Sequence, residues 1–275
     1  MREEIKTKEV IKGLKKRTCP SCAAACVAMA MTALTSCEGV LDGIYDEPQP
    51  VRVSEGQIVI DATSWTDWYY VDLSQLRRLE ESGDSAAFAD ARSHFEPWPI
   101  PMELTGEHDG RSGQYLYWFD VWGEGITNNE PRSYKPCDAQ SEPESWSFAV
   151  HRNNVRTNGG AVCKTSFTSM QQLPPSGAAF ADSVFVADEW TENVVWDSQE
   201  QMLLCLVPSQ GIAVNRVLSS WLNLHIPPVP PTFTHDGHVF ILRLADGTYA
   251  ALQLANYMSP SGVKCWLTIN YKYPY

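Results

Sequence analysis

Between Val263 and Tyr273 the chain alternates with a period of two. Val263, Cys265, Leu267, Ile269, Tyr271 and Tyr273 fall on one face, and Lys264, Thr268, Asn270 and Lys272 on the other, with Trp266 the exception. Successive side chains of a strand point to opposite faces, so an alternation this long predicts a half-buried strand; a helix would scatter the same residues around its axis. Just upstream, His238–Leu244 and Thr248–Leu254 flank Ala245-Asp246-Gly247, where glycine supplies the positive φ of a tight hairpin turn. Gln57–Asp61, Trp68–Leu73, Gln114–Trp122 and Trp146–His151 add β-branched or aromatic runs of strand length. Helical signals are few: Leu73–Asp90 has room for one or two turns, interrupted by Gly83. The expectation is an all-β fold with little helix. It forms one domain over residues 56–275, with a long irregular insertion at about 75–145, rich in Pro, Gly, Ser and acidic residues, between early strands.

The N-terminus has a different composition. Arg2, Lys6, Lys8, Lys12, Lys15, Lys16 and Arg17 form a basic stretch, followed by a short apolar run of small residues from Ala23 to Leu34. Basic region, apolar run and small residues at a cleavage point mark a secretory signal, and the run is short for a membrane span. It ends in Leu34-Thr35-Ser36-Cys37, which resembles the bacterial lipobox, so residues 1–36 read as a lipoprotein signal peptide and Cys37 as the lipidation site. Residues 37–55, with Pro48 and Pro50 and no periodicity, read as a tether. Cys19-Pro20-Ser21-Cys22 has the spacing of a metal or redox motif, but it lies inside the signal and no second ligand pair follows. The four cysteines beyond Cys37, namely Cys137, Cys163, Cys205 and Cys265, allow three disulfide pairings among which sequence does not choose.

Charge narrows the function. The chain has 33 Asp and Glu against 21 Lys and Arg, a net −12; without residues 1–36 the balance is 30 against 14, a net −16. Such acidity argues against nucleic acid as a partner. No stretch of about 20 apolar residues exists for a membrane helix. No G-x-S-x-G elbow or H-E-x-x-H pattern is present, and acidic pairs such as Asp188/Glu189 are commonplace in a chain this acidic, so the expectation is a protein that is not an enzyme. Two side chains draw attention as metal donors. His225 sits beside Trp221 in an apolar, proline-stiffened stretch, Leu224-His225-Ile226-Pro227-Pro228-Val229-Pro230-Pro231, and Met202 sits between Trp196 and leucines. Imidazole or thioether amid apolar rings suits haem, whose iron takes axial His or Met.

Several stretches resemble the HmuY family of haem-binding lipoproteins of Bacteroidetes. They are Ile58–Ala62 with Thr66–Tyr70, Ser147–Arg152 with Val155–Ala161, and Val239–Phe240 through Ala245-Asp246-Gly247 to Tyr271–Pro274, together with the lipobox. The resemblance implies an all-β, right-hand-like fold holding one haem between pairs of β fingers, no catalysis, and surface exposure on the outer membrane by a lipid anchor. It also implies haem or porphyrin delivery to a TonB-dependent outer-membrane receptor, and two axial ligands of His or Met type. At the first ligand position this chain has Glu200, with Met202 two residues on; at the second it has Ile226, with His225 just before. Arg152 and Arg156 suit carboxylates of the core or of haem propionates, or an internal ion pair beside a bend at Gly159-Gly160. The competing expectation is a non-haem surface module for a glycan or protein ligand on the same fold, because Trp98, Tyr115, Tyr117, Trp118 and Trp122 also suit sugar stacking.

Overall fold

Two short strands, one for each of two sheets, open the domain. β1 (Gln57–Asp61) buries Ile58, Val59 and Ile60, and β2 (Asp67–Val71) buries Trp68 and Val71. Asp72 then caps a helix: its carboxylate accepts the Gln75 N–H at 3.0 Å, starting α1 (Leu73–Ser82). Gly83, in the left-handed region at φ 74, ends α1, and Asp84 caps α2 (Ser85–Asp90) in the same way. The computed structural model describes residues 53–275 apart from 103, 105–112, 119–129, 192–194, 197, 204–205, 211 and 226–229. The signal, Cys37, most of the tether, Trp122 and Cys205 lie outside the described residues.

The stretch read as an irregular insertion carries more order than its composition showed. Besides the helices it contains β3 (Pro97–Pro99), β4 (Gly113–Trp118) and β5 (Glu130–Pro136). Next come β6 (Phe148–His151), β7 (Asn154–Thr157), β8 (Ala161–Lys164), β9 (Val186–Ala187) and β10 (Glu189–Thr191). A single-turn α3 (Gln199–Leu203) precedes β11 (Leu206–Gln210) and β12 (Ile212–Val214), and α4 (Arg216–Ser219) precedes the ribbon of β13 (Leu222–His225) and β14 (Thr232–His235). β15 (Phe240–Arg243), β16 (Tyr249–Met258) and β17 (Lys264–Lys272) close the chain.

All described pairings are antiparallel. One sheet runs β1-β17-β16-β15-β8-β9 and another β3-β2-β6-β7, with smaller sheets β11-β4-β5, β10-β12 and β13-β14. The first strand thus lies on the last, from Gln57 opposite Asn270 to Asp61 opposite Trp266. The alternation in β17 survives: Cys265, Leu267 and Ile269 are buried while their neighbours are not. β15 and β16 form the expected hairpin, with Gly247 at φ 83. Residues 51–275 make up one compact unit.

The two larger sheets share a core. Ile58, Ile60, Leu267 and Ile269 from one meet Phe148 and Val150 from the other, with Trp221 and Leu222 between them. Ala149, on the opposite face of β6, joins Trp68, Trp146, Ile212 and Val214 in a second cluster. All four residues of β6 are therefore buried, which explains its continuous apolar reading. Asn215 is fully buried and ties these layers together. Its Oδ1 accepts from Leu218 N, and its Nδ2 donates to Val186 O and to Asp188. Cys163 and Cys265 are buried thiols in β8 and β17.

Candidate functional site

The β13–β14 ribbon sets Leu224 directly opposite Phe233. These two residues, Trp196 and Met202 from around α3, Trp65 from the turn before β2, and Pro231 line a cleft of about 380 Å³. Each wall has a local cause. Met202 is buried on the single turn α3, whose Met202 N–H reaches back to Ser198 O at 3.3 Å. Trp65 sits in the tight Thr63–Asp67 link, which is held by Asp61 accepting from Thr63 and by Asp67 accepting from Ser64. Rings, a thioether and prolines share the lining of this open cleft with the polar Thr63, Asn153, Asn154 and Gln199, and its volume falls in the usual small-ligand range of about 300–1,000 Å³.

Arg152 lines this cleft from the turn between β6 and β7, with φ 53. Its guanidinium lies 3.6 Å from the centre of the Trp65 ring, and Nη1 donates to Thr63 O at 2.6 Å. Beside it His151 borders the cleft with Nδ1 2.9 Å from Asp67 O. Burial pushes the His151 imidazole down to about 4, so the ring is neutral at pH 7 and its Nδ1 is the nitrogen that donates to the carbonyl. Lys264, at the start of β17, supplies a second cation to the lining.

Of the two expected donors, the structure puts Met202 in the cleft wall and His225 outside the lining. Side chains alternate across a strand, so the ribbon face that carries Leu224 and Phe233 cannot also carry His225. His225 shares the other face with Asn223, Thr232 and Thr234, and its Nε2 lies 2.7 Å from Thr234 Oγ1. The two are not brought together across the cleft. The two arginines also separate. Arg156 is buried, pairs with the exposed Glu142 at 3.0 Å and sits about 5 Å from the centres of the Trp68, Tyr70 and Trp146 rings, so its charge is taken up within the fold. Arg152 alone faces the cleft.

Other candidates are absorbed by the fold. Asp188 accepts from Thr157 N, Thr157 Oγ1 and Asn215 Nδ2, and Glu189 pairs with Arg216 at 2.7 Å. Trp98 packs edge-on against Tyr70, and the side chains of Tyr115, Tyr117 and Trp118 are outside the described set. Among the described residues no group of three His, Cys, Asp or Glu is placed to hold a metal. Trp65 and Lys264 were not picked out in the sequence. One lies in a polar link and the other on the solvent face of a strand, so only the fold reveals their place.

An all-β frame with a ring-walled cleft at the root of a β ribbon is the architecture of a ligand-binding protein. A family profile described as HmuY protein matches residues 64–271, and the chain belongs to that family. A solved structure from Bacteroides vulgatus, described as a candidate HmuY-like heme-binding protein, is 29% identical with a TM-score of 0.51, over 80% of this chain and 91% of that one. A candidate lipoprotein from Bacteroides fragilis is 26% identical with a TM-score of 0.52, over 80% and 89%. Apo PinO from Porphyromonas gingivitis shares the fold at 18% identity, with a TM-score of 0.54 over 80% and 96%. No curated protein matches the chain.

Proposed function

We propose that this protein binds haem, or a closely related porphyrin, in the cleft between Trp65, Met202 and the β13–β14 ribbon. In this proposal it does so as a lipoprotein held on the outer membrane through Cys37, and passes its ligand to a TonB-dependent receptor. The observation that carries the proposal is the buried Met202 in the wall of a ring-lined cleft in a chain of the HmuY family. The description of the Bacteroides vulgatus relative as heme-binding supports it. The lining fits the group: the rings of Trp65, Trp196 and Phe233 suit a macrocycle, and a thioether is an accepted axial donor to haem iron. Haem, when bound, would supply the iron and its redox couple; the chain's own residues would enclose the ring and shield it from water.

Met202 is the proposed donor from the wall, and His225 the proposed second donor. For His225 to act, it must give up Thr234 and turn to the other side of its ribbon. Titrating the domain with haemin and recording the Soret band tests both levels. Saturable binding with a low-spin spectrum is expected, weakened by Met202→Ala or His225→Ala and abolished by the double change. Absence of saturable binding contradicts the function; a spectrum untouched by either change contradicts the ligand assignment.

A further inference from the structure

The charge of the cleft runs opposite to that of the molecule. The chain carries a net −12, yet the described residues lining the cleft include Arg152 and Lys264 and no Asp or Glu. Neither cation is neutralised by a described carboxylate. Arg152 has the Thr63 carbonyl and the face of Trp65, both uncharged. Lys264 has the Pro231 carbonyl at 3.3 Å and the Phe233 ring at 5.4 Å, also uncharged. Arg156, four residues from Arg152, shows the contrast, since its anion is built in as Glu142.

The two cations work on one region. Both lie close enough to the buried Cys265 thiol for their charges to act on it, although burial dominates there. Arg152 is also held in a left-handed backbone conformation that L-residues adopt only at an energetic cost. A half-buried guanidinium placed under backbone strain, with most of its five donors unused and no counter-ion among the described residues, suits an anion. Its planar fork matches a carboxylate, and an ammonium nearby adds a second point of attraction.

We propose that Arg152 and Lys264 form an anion-recognition pair that restricts the cleft to tetrapyrroles bearing free carboxylates, with or without iron. This deepens the haem-binding reading and rests on it: the walls and Met202 take the ring, and the two cations take the acidic edge. Recognition of the carboxylates does not need the metal, so the iron-free ring is a ligand too.

The experiment compares protoporphyrin IX, its dimethyl ester and haemin as ligands of the purified domain, followed by porphyrin absorption and tryptophan quenching. Esterification removes both negative charges and leaves the ring unchanged. The expected result is that the free acid binds about tenfold or more tightly than the ester, a preference that shrinks as salt rises. Arg152→Asn, chosen because Asn tolerates positive φ, and Lys264→Gln should each weaken the free acid and leave the ester unchanged. Lys264 is exposed, so its variant folds and reads the effect even where Arg152→Asn does not. Equal affinity for acid and ester, with haemin still bound, overturns this proposal and leaves the haem reading standing. Discrimination that neither variant alters overturns the assignment to these residues. If no porphyrin and no haemin binds, both fall together.

Discussion

His151 is the most confined titratable group at the cleft. It is 1% exposed, its Nδ1 is engaged by the Asp67 carbonyl, its ring lies 5.5 Å from that of Trp68, and Arg152 follows it in the chain. Burial and the Arg152 charge lower its pKa to about 4, against the carbonyl bond, which favours the charged form. The unfolded chain takes up this proton near pH 6.5, while the folded chain resists until about 4. Stability held above pH 6.5 is therefore lost as the pH falls through that window, by up to about 3 kcal/mol at full expression. The Asp236 carboxylate, held near 2 despite partial burial by Lys164 and His238, acts in a lower window. Urea unfolding at pH 7, 5.5 and 4 should show the decline in the wild type and a flatter profile in His151→Gln; an unchanged profile contradicts the account. At this scale the site was only half legible. Met202 announced itself by chemistry and neighbours. The orientation of His225 is legible as well: in Leu222-Asn223-Leu224-His225 the apolar residues alternate with polar ones, so the histidine shares the face of Asn223.

Elements with a strong local signal, an apolar run, a cap or a turn glycine, could be read from the chain. β1 has the expected bounds, Asp72 and Gly83 delimit α1, and the β15–β16 hairpin forms around Gly247. β4 lies within the aromatic run Gln114–Trp122, but β5 was harder to recognise, and the sheet they share is completed by β11, some ninety residues after β4. Their prolines, Pro131 and Pro136, also remove ladder donors, as Pro208 does in β11. Close packing was invisible too. Gly177 begins a short turn of 3-10 helix, and a Cβ there would lie 2.4 Å from Tyr249 Cβ and 2.8 Å from the Tyr275 carbonyl. Gly83 is the opposite case: nothing stands within 4 Å, and only its φ of 74 demands glycine. Gly177→Ala should therefore destabilise by about 1–3 kcal/mol through overpacking, and Gly83→Ala by about 1–2 kcal/mol through backbone strain alone. Thermal melts of the pair, with and without the further change Tyr249→Gly, which removes the nearest atom, Tyr249 Cβ, separate the two causes. Relief of the Gly177→Ala defect by the smaller partner is expected; relief of Gly83→Ala instead would contradict the account.

Over the whole molecule, the proposed arrangement is an acidic β domain tethered through residues 37–55 to a lipid on Cys37. Two acyl chains at one residue hold a protein on a membrane far better than one. If Cys37 carries them, Cys37→Ala should shift the protein from the membrane fraction to the soluble fraction of fractionated cells; unchanged fractionation would remove the anchor from the account. The domain itself is arranged around its cleft: the strain at Arg152, the turn carrying Met202 and the ribbon carrying Leu224 all meet there. That convergence is the central claim, and filling the space tests it. Leu224 faces the cleft opposite Phe233, so Leu224→Trp places an indole where the ligand would lie. The most direct measurement is a haemin titration of the wild type and of Leu224→Trp, with circular dichroism showing that both are folded. The account predicts one haemin bound per wild-type molecule and little or none by the variant. A folded variant that binds haemin as the wild type does would contradict it.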